Sequence, residues 1–414
     1  MKQYRAVIVS VLVVLMAACN NAKELDPNSV NLGDAGAKFK TLNDKHFKPP
    51  SLSTISGDYV NTGASVWGAH GRDRLGRIYF AVSNYKDYNA SSFLYQYDPR
   101  SNQITPQSDA LTELKRNNQF MDDMSQNKLH SKLFQAEDGY LYFSSFDETG
   151  ESNTKNPTWG GVFWRKKPES IEWEYLFSTE EALIAVNSNG RFVYALGYWG
   201  HVLYQYDTQK DAVRKIKVGS VPGHISRNFL VTNNGHVFVP KISGPTDLMV
   251  ELIEYDEKLF QVNTFTLNEY WNTNANDNHG IVSYVQLKNG STLFLTSTGN
   301  LYEIVQMESD RSKVNSLGPI SDTGEKAYVS SLFSPDGEEM LVGLGRNEGA
   351  AQYQWYLYNI PSKTLVSYPV KDIDLNKHLL YGSLTSDNDG NFYIVGSNRQ
   401  NSEKHRPIVL KASY

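Results

Sequence analysis

The sequence predicts an all-β fold, and three observations support that prediction. Tyrosine is unusually frequent, with 26 residues in a chain of 414, and aromatic residues favour strands over helices. Apolar stretches recur with Asn-Gly or Asp-Gly between them, which predicts β-hairpins with two-residue turns, because both central positions of such a turn need positive φ and Asn, Asp and Gly tolerate it. Apart from 110–126, which suits a helix, no stretch shows helical periodicity.

A repeated pentapeptide indicates how the strands are arranged. LYQYD occurs at 94–98 and again at 203–207, and looser copies surround Tyr255 and Tyr358. Their spacing fits a period of about 50 residues, sometimes counted twice. Aligned by their turn glycines, the segments form seven four-stranded units, in which the LYQYD type is the third strand. This pattern predicts a seven-bladed β-propeller over 46–414, with tyrosine rings between blades. Eight blades are the alternative if 47–62 contains a strand pair.

The N-terminus has the character of a targeting segment. MKQYR carries two positive charges, an apolar run follows that is short for a membrane span, and small residues precede Cys19. The pattern resembles a bacterial lipoprotein signal over 1–18, which implies an acylated Cys19 and a lipid anchor; an ordinary secretory signal is the alternative. Asn20 after the cysteine implies the outer membrane, on its cell-surface or periplasmic face. The polar stretch 19–45 is interpreted as a flexible tether.

Composition excludes several classes of protein. The chain is 40% hydrophobic with a formal net charge of −5, so it can bury a core and shows no basic excess for nucleic acid. Cys19 is the only cysteine, which excludes disulfides and a cysteine zinc site. We expect a monomer.

The loops that lead into the first strand of each blade are the predicted functional region, because they converge at one mouth of the channel. Similar positions in these loops hold cationic, imidazole and phenol side chains. They are His130, His224, Arg227, Asn228, His279, Lys326, Tyr328, His378 and Tyr381. The plainer alternative is that such loops are polar in any case.

The corner between the second and third strands of blade three adds three candidates. Tyr198, Trp199 and His201 follow one another closely there. Trp199 suits stacking on a sugar ring, and packing between blades is the alternative. We predict substrate-binding roles for Trp199 and His201.

No short-spaced metal ligands occur in the sequence. The DNDG stretch at 387–390 is interpreted as a hairpin turn, since it lacks the downstream carboxylate of a calcium loop. His224, His279 and His378 are a weaker candidate set for a divalent cation. We predict that no cofactor is required, with a structural calcium or other divalent ion as the alternative.

Three stretches of blades two to four carry a resemblance to a known family. HSKLFQAEDGYLYFSSF, GHVLYQYD and GHISRNFLVTNNGHVFV together resemble seven-bladed propeller polysaccharide lyases, particularly the ulvan lyases of marine bacteria. The resemblance implies His130 as a catalytic histidine, Arg227 as the arginine that neutralises a uronate carboxylate, and Tyr198 as the acid–base tyrosine, with Tyr194 as its rival. One departure is that Phe146 and Asp147 occupy the place of a second histidine. Either His201 or His224 replaces it, or this protein has a different substrate or has lost the activity.

Two functions therefore remain open. The first is a lyase that cleaves an anionic, uronic-acid-containing polysaccharide, sulfated as in ulvan, by β-elimination. The second is a non-catalytic propeller lipoprotein that binds glycans or scaffolds an envelope complex. A hydrolase with paired carboxylates is weaker, because Asp and Glu are scarce at the predicted mouth.

Overall fold

The computed structural model describes most of the chain beyond the N-terminal segment. The described residues are 48–57, 64–84, 90–122, 124–148, 160–198, 201–219, 226–243, 249–268, 270, 280–307, 311–321, 326–401 and 404–414. They form 29 strands and one helix, and the strands assemble into seven sheets around an axis. The prediction of an all-β, seven-bladed β-propeller is confirmed. The predicted signal and tether lie outside the described residues.

The first four blades follow one another along the chain, each with its first strand innermost. Blade one contains β2 (Ala64–Ser65), β3 (His70–Arg72), β4 (Ile78–Asn84), β5 (Phe93–Asp98) and β6 (Gln103–Asp109). Blade two contains β7 (Phe134–Gln135), β8 (Leu141–Phe146), β9 (Gly161–Lys166) and β10 (Glu174–Thr179). Blade three contains β11 (Leu183–Ser188), β12 (Phe192–Gly197), β13 (Val202–Asp207) and β14 (Ala212–Lys217). Blade four contains β15 (Leu230–Val231), β16 (Val237–Ser243), β17 (Met249–Tyr255) and β18 (Gln261–Thr266).

The remaining three blades complete the ring. Blade five contains β19 (Ile281–Gln286), β20 (Thr292–Thr296), β21 (Asn300–Gln306) and β22 (Ser312–Pro319). Blade six contains β23 (Ala327–Phe333), β24 (Met340–Asn347), β25 (Gln354–Asn359) and β26 (Thr364–Pro369). Blade seven contains β27 (His378–Ser386), β28 (Phe392–Asn401), β29 (Lys404–Ser413) and, at its outer edge, β1 (Ser51–Thr54).

The ring is closed by β1, which comes from the other end of the chain. It pairs antiparallel with β29, so that Ser51 lies opposite Ser413 and Thr54 opposite Leu410. The region reserved for an eighth blade therefore supplies the fourth strand of the seventh. This pairing satisfies the backbone groups of β29 that would otherwise form an exposed edge.

The repeated pentapeptide occupies the predicted position. It forms most of β5 and β13, the third strands of blades one and three. Its tyrosines contact neighbouring blades: the rings of Tyr97 and Tyr393 lie 5.8 Å apart, and those of Tyr142 and Tyr206 lie 5.7 Å apart. Such ring pairs add about 0.5–1.5 kcal/mol each beyond the area that they bury. The repeat is thus used to hold one blade against the next.

The glycine turns are real, but their geometry differs from the two-residue type expected. In blade two the Gly139 amide donates to the Ala136 carbonyl at 3.0 Å and the Ala136 amide donates to the Tyr140 carbonyl at 2.9 Å. This is a three-residue loop with a glycine bulge, in which only Gly139 has positive φ, +86°. The preceding Asp138 instead accepts the Tyr140 amide through its side chain, at 3.1 Å, which explains its presence without left-handed backbone.

The predicted helix is shorter than the pattern suggested. The helix α1 covers Ala110–Arg116, and Asp109 caps it by accepting the Thr112 amide at 3.1 Å. It ends at Asn117, and the residues that follow leave the helical path. Among the described residues no helix is long and apolar enough to cross a membrane.

Candidate functional site

Five of the seven innermost strands bring their first residues, or the loops just before them, to one small cavity on the propeller axis. We call this cavity the mouth; its lining is Trp67, Gly68, His130, Lys132, Arg227, Asn228, Val282 and Tyr328. Its volume is about 20 Å³, which is room for roughly one water molecule or one carboxylate group. The structure thus brings His130, Arg227, Asn228 and Tyr328 from distant segments to one rim.

Blade one widens the rim by interrupting its innermost strand. β2 and β3 both pair with β4, and residues 66–68 leave the sheet between them. This break carries Trp67 to the mouth, where its ring lies 4.7 Å from the ring of Tyr381. The two rings form an aromatic wall beside the cationic groups.

Arg227 provides one positive charge at the mouth. It is half-buried, and its guanidinium carbon lies 5.9 Å from the centre of the Tyr381 ring. Among the described residues no carboxylate oxygen lies within 4 Å of its nitrogens. A half-buried guanidinium without an acidic neighbour attracts an anionic ligand, and its fork of donors suits a carboxylate or a sulfate.

Asn228, predicted to bind substrate, is engaged in the scaffold. Its side-chain nitrogen donates to the carbonyls of Ile281 and Val282 at 3.2 and 3.1 Å. It therefore ties the start of blade four to the innermost strand of blade five. This bond fixes the backbone that carries Arg227.

His130 is held in one orientation at the mouth. It is 7% exposed, and its Nδ1 lies 3.2 Å from the carbonyl oxygen of Ile184. A carbonyl oxygen only accepts, so Nδ1 carries the proton of the neutral ring and the lone pair lies on Nε2. Nε2 is therefore the basic nitrogen of this ring.

Lys132 is a residue that the sequence reasoning missed. It lines both the mouth and the adjoining axial channel, and its Nζ lies 3.9 Å from the centre of the Tyr284 ring. Lys132 is half-buried at the channel, and the burial of its amine lowers the pKa of Lys132 to about 7. A signal was present, since Lys132 follows His130 by two residues and alternate residues of an extended segment share a face.

A second lysine near the mouth is already neutralised. Nζ of Lys128 lies 3.2 Å from a carboxylate oxygen of Glu148 and 4.4 Å from the centre of the Trp67 ring. Its charge is balanced locally. Arg227 and Lys132 are therefore the cations that give the mouth its net positive character.

Two predicted residues are not brought to the mouth. Tyr198 and His201 are both 0% exposed. Tyr198 packs in an apolar cluster with Phe146 and Leu203, because burying a large ring between blades is favourable. Burial lowers the pKa of His201 to about 4, opposed only by the Pro240 backbone, so this imidazole is neutral at neutral pH.

Several other predicted residues have a different status. Lys326 lies next to the mouth rather than in it, in a cleft shared with Tyr328. Tyr194, the rival of Tyr198, is fully buried and accepts a hydrogen bond from Gln205 at 3.0 Å. Cys19, Trp199, His224 and His279 lie outside the described residues.

No set of three or more His, Cys, Asp or Glu side chains able to hold a metal occurs among the described residues. Of the three histidines considered for a divalent cation, His378 is described; it begins β27 and is 7% exposed. The DNDG stretch is the hairpin turn that was predicted: the carboxylate of Asp387 accepts the amides of Asp389 and Asn391, both at 2.9 Å.

Comparison with known proteins supports the fold and leaves the function open. Neither a protein-family model nor a curated protein sequence matches the chain. A protein of unknown function from Dyadobacter fermentans is similar in structure, with a TM-score of 0.50 and 10% identity over 88% of this chain and 98% of that one. YCF48 bound to a D1 peptide is similar too, with a TM-score of 0.51 and 10% identity over 89% of this chain and 97% of that one. At such identity the likeness concerns the propeller fold alone.

Proposed function

We propose that this protein binds a uronic-acid-containing anionic polysaccharide at the mouth and cleaves it by β-elimination. One observation carries the proposal: Arg227, which has no acidic partner among the described residues, and His130, oriented by Ile184, line the same cavity. The mouth has room for a carboxylate but not for a sugar ring, so the ring is expected to lie above it, against Trp67 and Tyr328.

The chemistry follows from these positions. The uronate carboxylate pairs with Arg227, which stabilises the extra negative charge that develops when the C5 proton leaves. That proton passes to Nε2 of His130. The electron pair of the C5–H bond forms the C4=C5 double bond, and the bond from C4 to the glycosidic oxygen breaks. The departing oxygen receives a proton from the Tyr328 hydroxyl, the phenol at the mouth.

Lys132 is the rival proton acceptor. With a pKa of about 7, a substantial fraction of its amine is neutral at neutral pH, which is the range in which a general base is effective. His130→Asn and Lys132→Met separate the two. Asn at 130 retains a donor for the Ile184 carbonyl but lacks the basic nitrogen.

The experiment is an absorbance assay, since the unsaturated uronate product absorbs ultraviolet light. The unaltered protein and the variants Arg227→Gln, His130→Asn and Lys132→Met are each incubated with ulvan, polyglucuronate and polygalacturonate. Loss of one general base is expected to lower the rate about 10²- to 10⁴-fold. Absence of product from every uronan, with binding retained, would exclude the lyase.

The second candidate is a glycan-binding propeller without catalysis. It is favoured by the small mouth and by the burial of Tyr198, the tyrosine expected to act as acid and base. It predicts that Arg227→Gln weakens polysaccharide binding. The absorbance should not rise with the unaltered protein or with any of the variants.

We also propose that the protein is an outer-membrane lipoprotein anchored through acylated Cys19. The support is the order of charge, apolar run and small residues before that cysteine. Incorporation of labelled fatty acid in a bacterial host, lost in Cys19→Ala, tests it. Equal labelling of both proteins would contradict it.

A further inference from the structure

A larger cleft opens beside the mouth, on the same face of the propeller. It lies between the β20–β21 turn of blade five and the β23 and β24 strands of blade six, with a volume of about 540 Å³. We call it the side cleft; its polar lining includes Ser297, Thr298, Lys326, Tyr328, Arg346 and Glu348. This volume is in the range of small-molecule sites, whereas the mouth is far too small for a sugar.

The side cleft and the mouth share Tyr328 as a lining residue. This residue lines both cavities and lies opposite Arg346 in the pairing of β23 with β24. The half-buried Tyr328 therefore borders both cavities, and Arg346 borders the side cleft beside it. A ligand that contacts Arg227 at one end can extend across Tyr328 towards Arg346.

The described lining of the side cleft carries a net positive charge. Lys326 and Arg346 are half-buried, and no carboxylate oxygen lies within 4 Å of either among the described residues. Glu348 is the one acid of the described lining, and its side chain is exposed to solvent. The described lining therefore contains two cations and one carboxylate, and solvent screens the charge of that carboxylate.

Arg346 is supported from below. Its guanidinium carbon lies 5.5 Å from the centre of the Tyr353 ring, and the Tyr353 hydroxyl donates to the His378 carbonyl at 3.3 Å. The ring under the guanidinium is therefore fixed to blade seven. Support of this kind lowers the entropy that a long side chain loses when it binds an anion.

We propose that the side cleft is a second subsite, which binds an anionic substituent on the sugar next to the one whose carboxylate occupies the mouth. The shared chemistry of that substituent is a sulfate ester or a carboxylate, held by Arg346 and Lys326, with the hydroxyls of Ser297 and Thr298 for sugar hydroxyls. This inference rests on the proposed function and narrows its substrate to a glycan charged on successive sugars. Neutral glycans and single uronic acids are excluded as good ligands.

Binding by calorimetry tests the subsite, with size-fractionated oligosaccharides of ulvan, which are sulfated, and of polyglucuronate, which carry carboxylates only. Arg346→Gln is expected to weaken binding about tenfold and Lys326→Gln about threefold. Arg100→Gln and Lys313→Gln, which remove exposed cations of blades one and five, are the matched controls and should change affinity less than twofold. The effects should shrink as salt is added, because exposed charges are screened.

The arms of the experiment separate the possible failures. Weakening confined to the sulfated ligand assigns the side cleft to sulfate, and weakening with both ligands assigns it to either anion. If Arg227→Gln abolishes binding while Arg346→Gln and Lys326→Gln behave like the controls, the proposed binding at the mouth is supported and the proposal of a second subsite is wrong. If the unaltered protein binds neither ligand, both proposals fail. Thermal unfolding of each variant excludes a folding defect, and Arg346→Lys should recover part of the affinity.

Discussion

The two ends of the propeller channel differ in whether their charged side chains have partners. At the end with the hairpin turns, buried carboxylates are hydrogen-bonded within their own turns. Asp73, Asp336 and Asp387 are each at most 7% exposed and accept hydrogen bonds from backbone amides of those turns. At the mouth, Arg227 and Lys132 have no acidic partner among the described residues. A charge that is satisfied inside its own turn stabilises the fold, whereas a charge left unmatched at a rim is available for a ligand.

The two ends also differ in how similar the seven blades are to one another. At the turn end every blade has a glycine with positive φ in its first hairpin, because the chain of each blade must reverse direction at the same place. The mouth takes a different residue from each blade, such as Trp67 from blade one, His130 from blade two and Arg227 from blade four. Substitutions at the two ends should therefore have opposite effects on stability and on binding.

The largest loss of stability is expected from Asp387→Ala at the turn end. The Asp387 carboxylate accepts two amides at 2.9 Å and the Tyr393 hydroxyl at 2.7 Å, and the residue is 2% exposed. Leaving these donors unsatisfied should cost about 3–4 kcal/mol in the free energy of unfolding, measured by urea denaturation. Asp389→Ala, two residues away and exposed, is the control; an equal loss there would show that the carboxylate is not the cause.

His201, buried where blade three meets blade four, should dominate the acid sensitivity of the fold. Its pKa is about 4 in the folded protein and about 6.5 when unfolded. The unfolded chain therefore binds a proton that the folded protein refuses as the pH falls from 6.5 to 4. Stability should fall by roughly 3 kcal/mol over that interval.

The check is the pH dependence of unfolding in His201→Asn. Asparagine tolerates the positive φ of this position, +44°, and does not titrate there. The acid limb between pH 6.5 and 4 should flatten relative to the unaltered protein. An unchanged limb would assign the acid sensitivity to other groups.

Gly139→Ala tests the corrected turn geometry. The residue has φ of +86°, and a methyl group at this position would meet no atom within 4 Å, so the cost is that of left-handed backbone alone. We expect about 1–2 kcal/mol from thermal or chemical unfolding. Gly139→Asn should lose less, because asparagine adopts this conformation more readily; equal losses would indicate strain of another kind.

Lys132→Met should stabilise the protein at neutral pH, because it removes a poorly solvated cation. The folded pKa of about 7 lies below the unfolded value of about 10.4, so the unfolded chain binds more protons between these values. The unaltered protein therefore gains stability as the pH rises from 7 to about 10, and the gap to Lys132→Met should close. A difference in the free energy of unfolding between the two proteins that is constant with pH would contradict the lowered pKa of Lys132.

The smallest effect on stability is expected from Arg227→Gln at the mouth. With no ion pair to break among the described residues, the free energy of unfolding should change by no more than about 0.5 kcal/mol. The same variant should lose binding to anionic polysaccharide. A large loss of stability would instead make Arg227 a structural residue and remove the contrast between the two ends.

The architecture was readable from the sequence because it depends on short-range rules. The glycine turns and the two copies of LYQYD each act within one blade, so they fix its strands wherever the blade lies. The partner of β1 was not readable, because it lies at the opposite end of the chain and the four residues of β1 carry no signal of their own. The turn type was misjudged because the same Asn-Gly and Asp-Gly pairs serve two loop lengths.

The site was predictable only in part, for a related reason. His130, Arg227 and Tyr328 lie at corresponding positions of their blades, and ring closure brings such positions together. Tyr198 and His201 look equally polar in the sequence, but the packing of blade three against blade four buries them. The sequence by itself determined the seven blades and the region where their inner strands begin. Only the tertiary structure decided which of those side chains face the axis and keep their charge, because burial and ion pairing are set by neighbours from other blades.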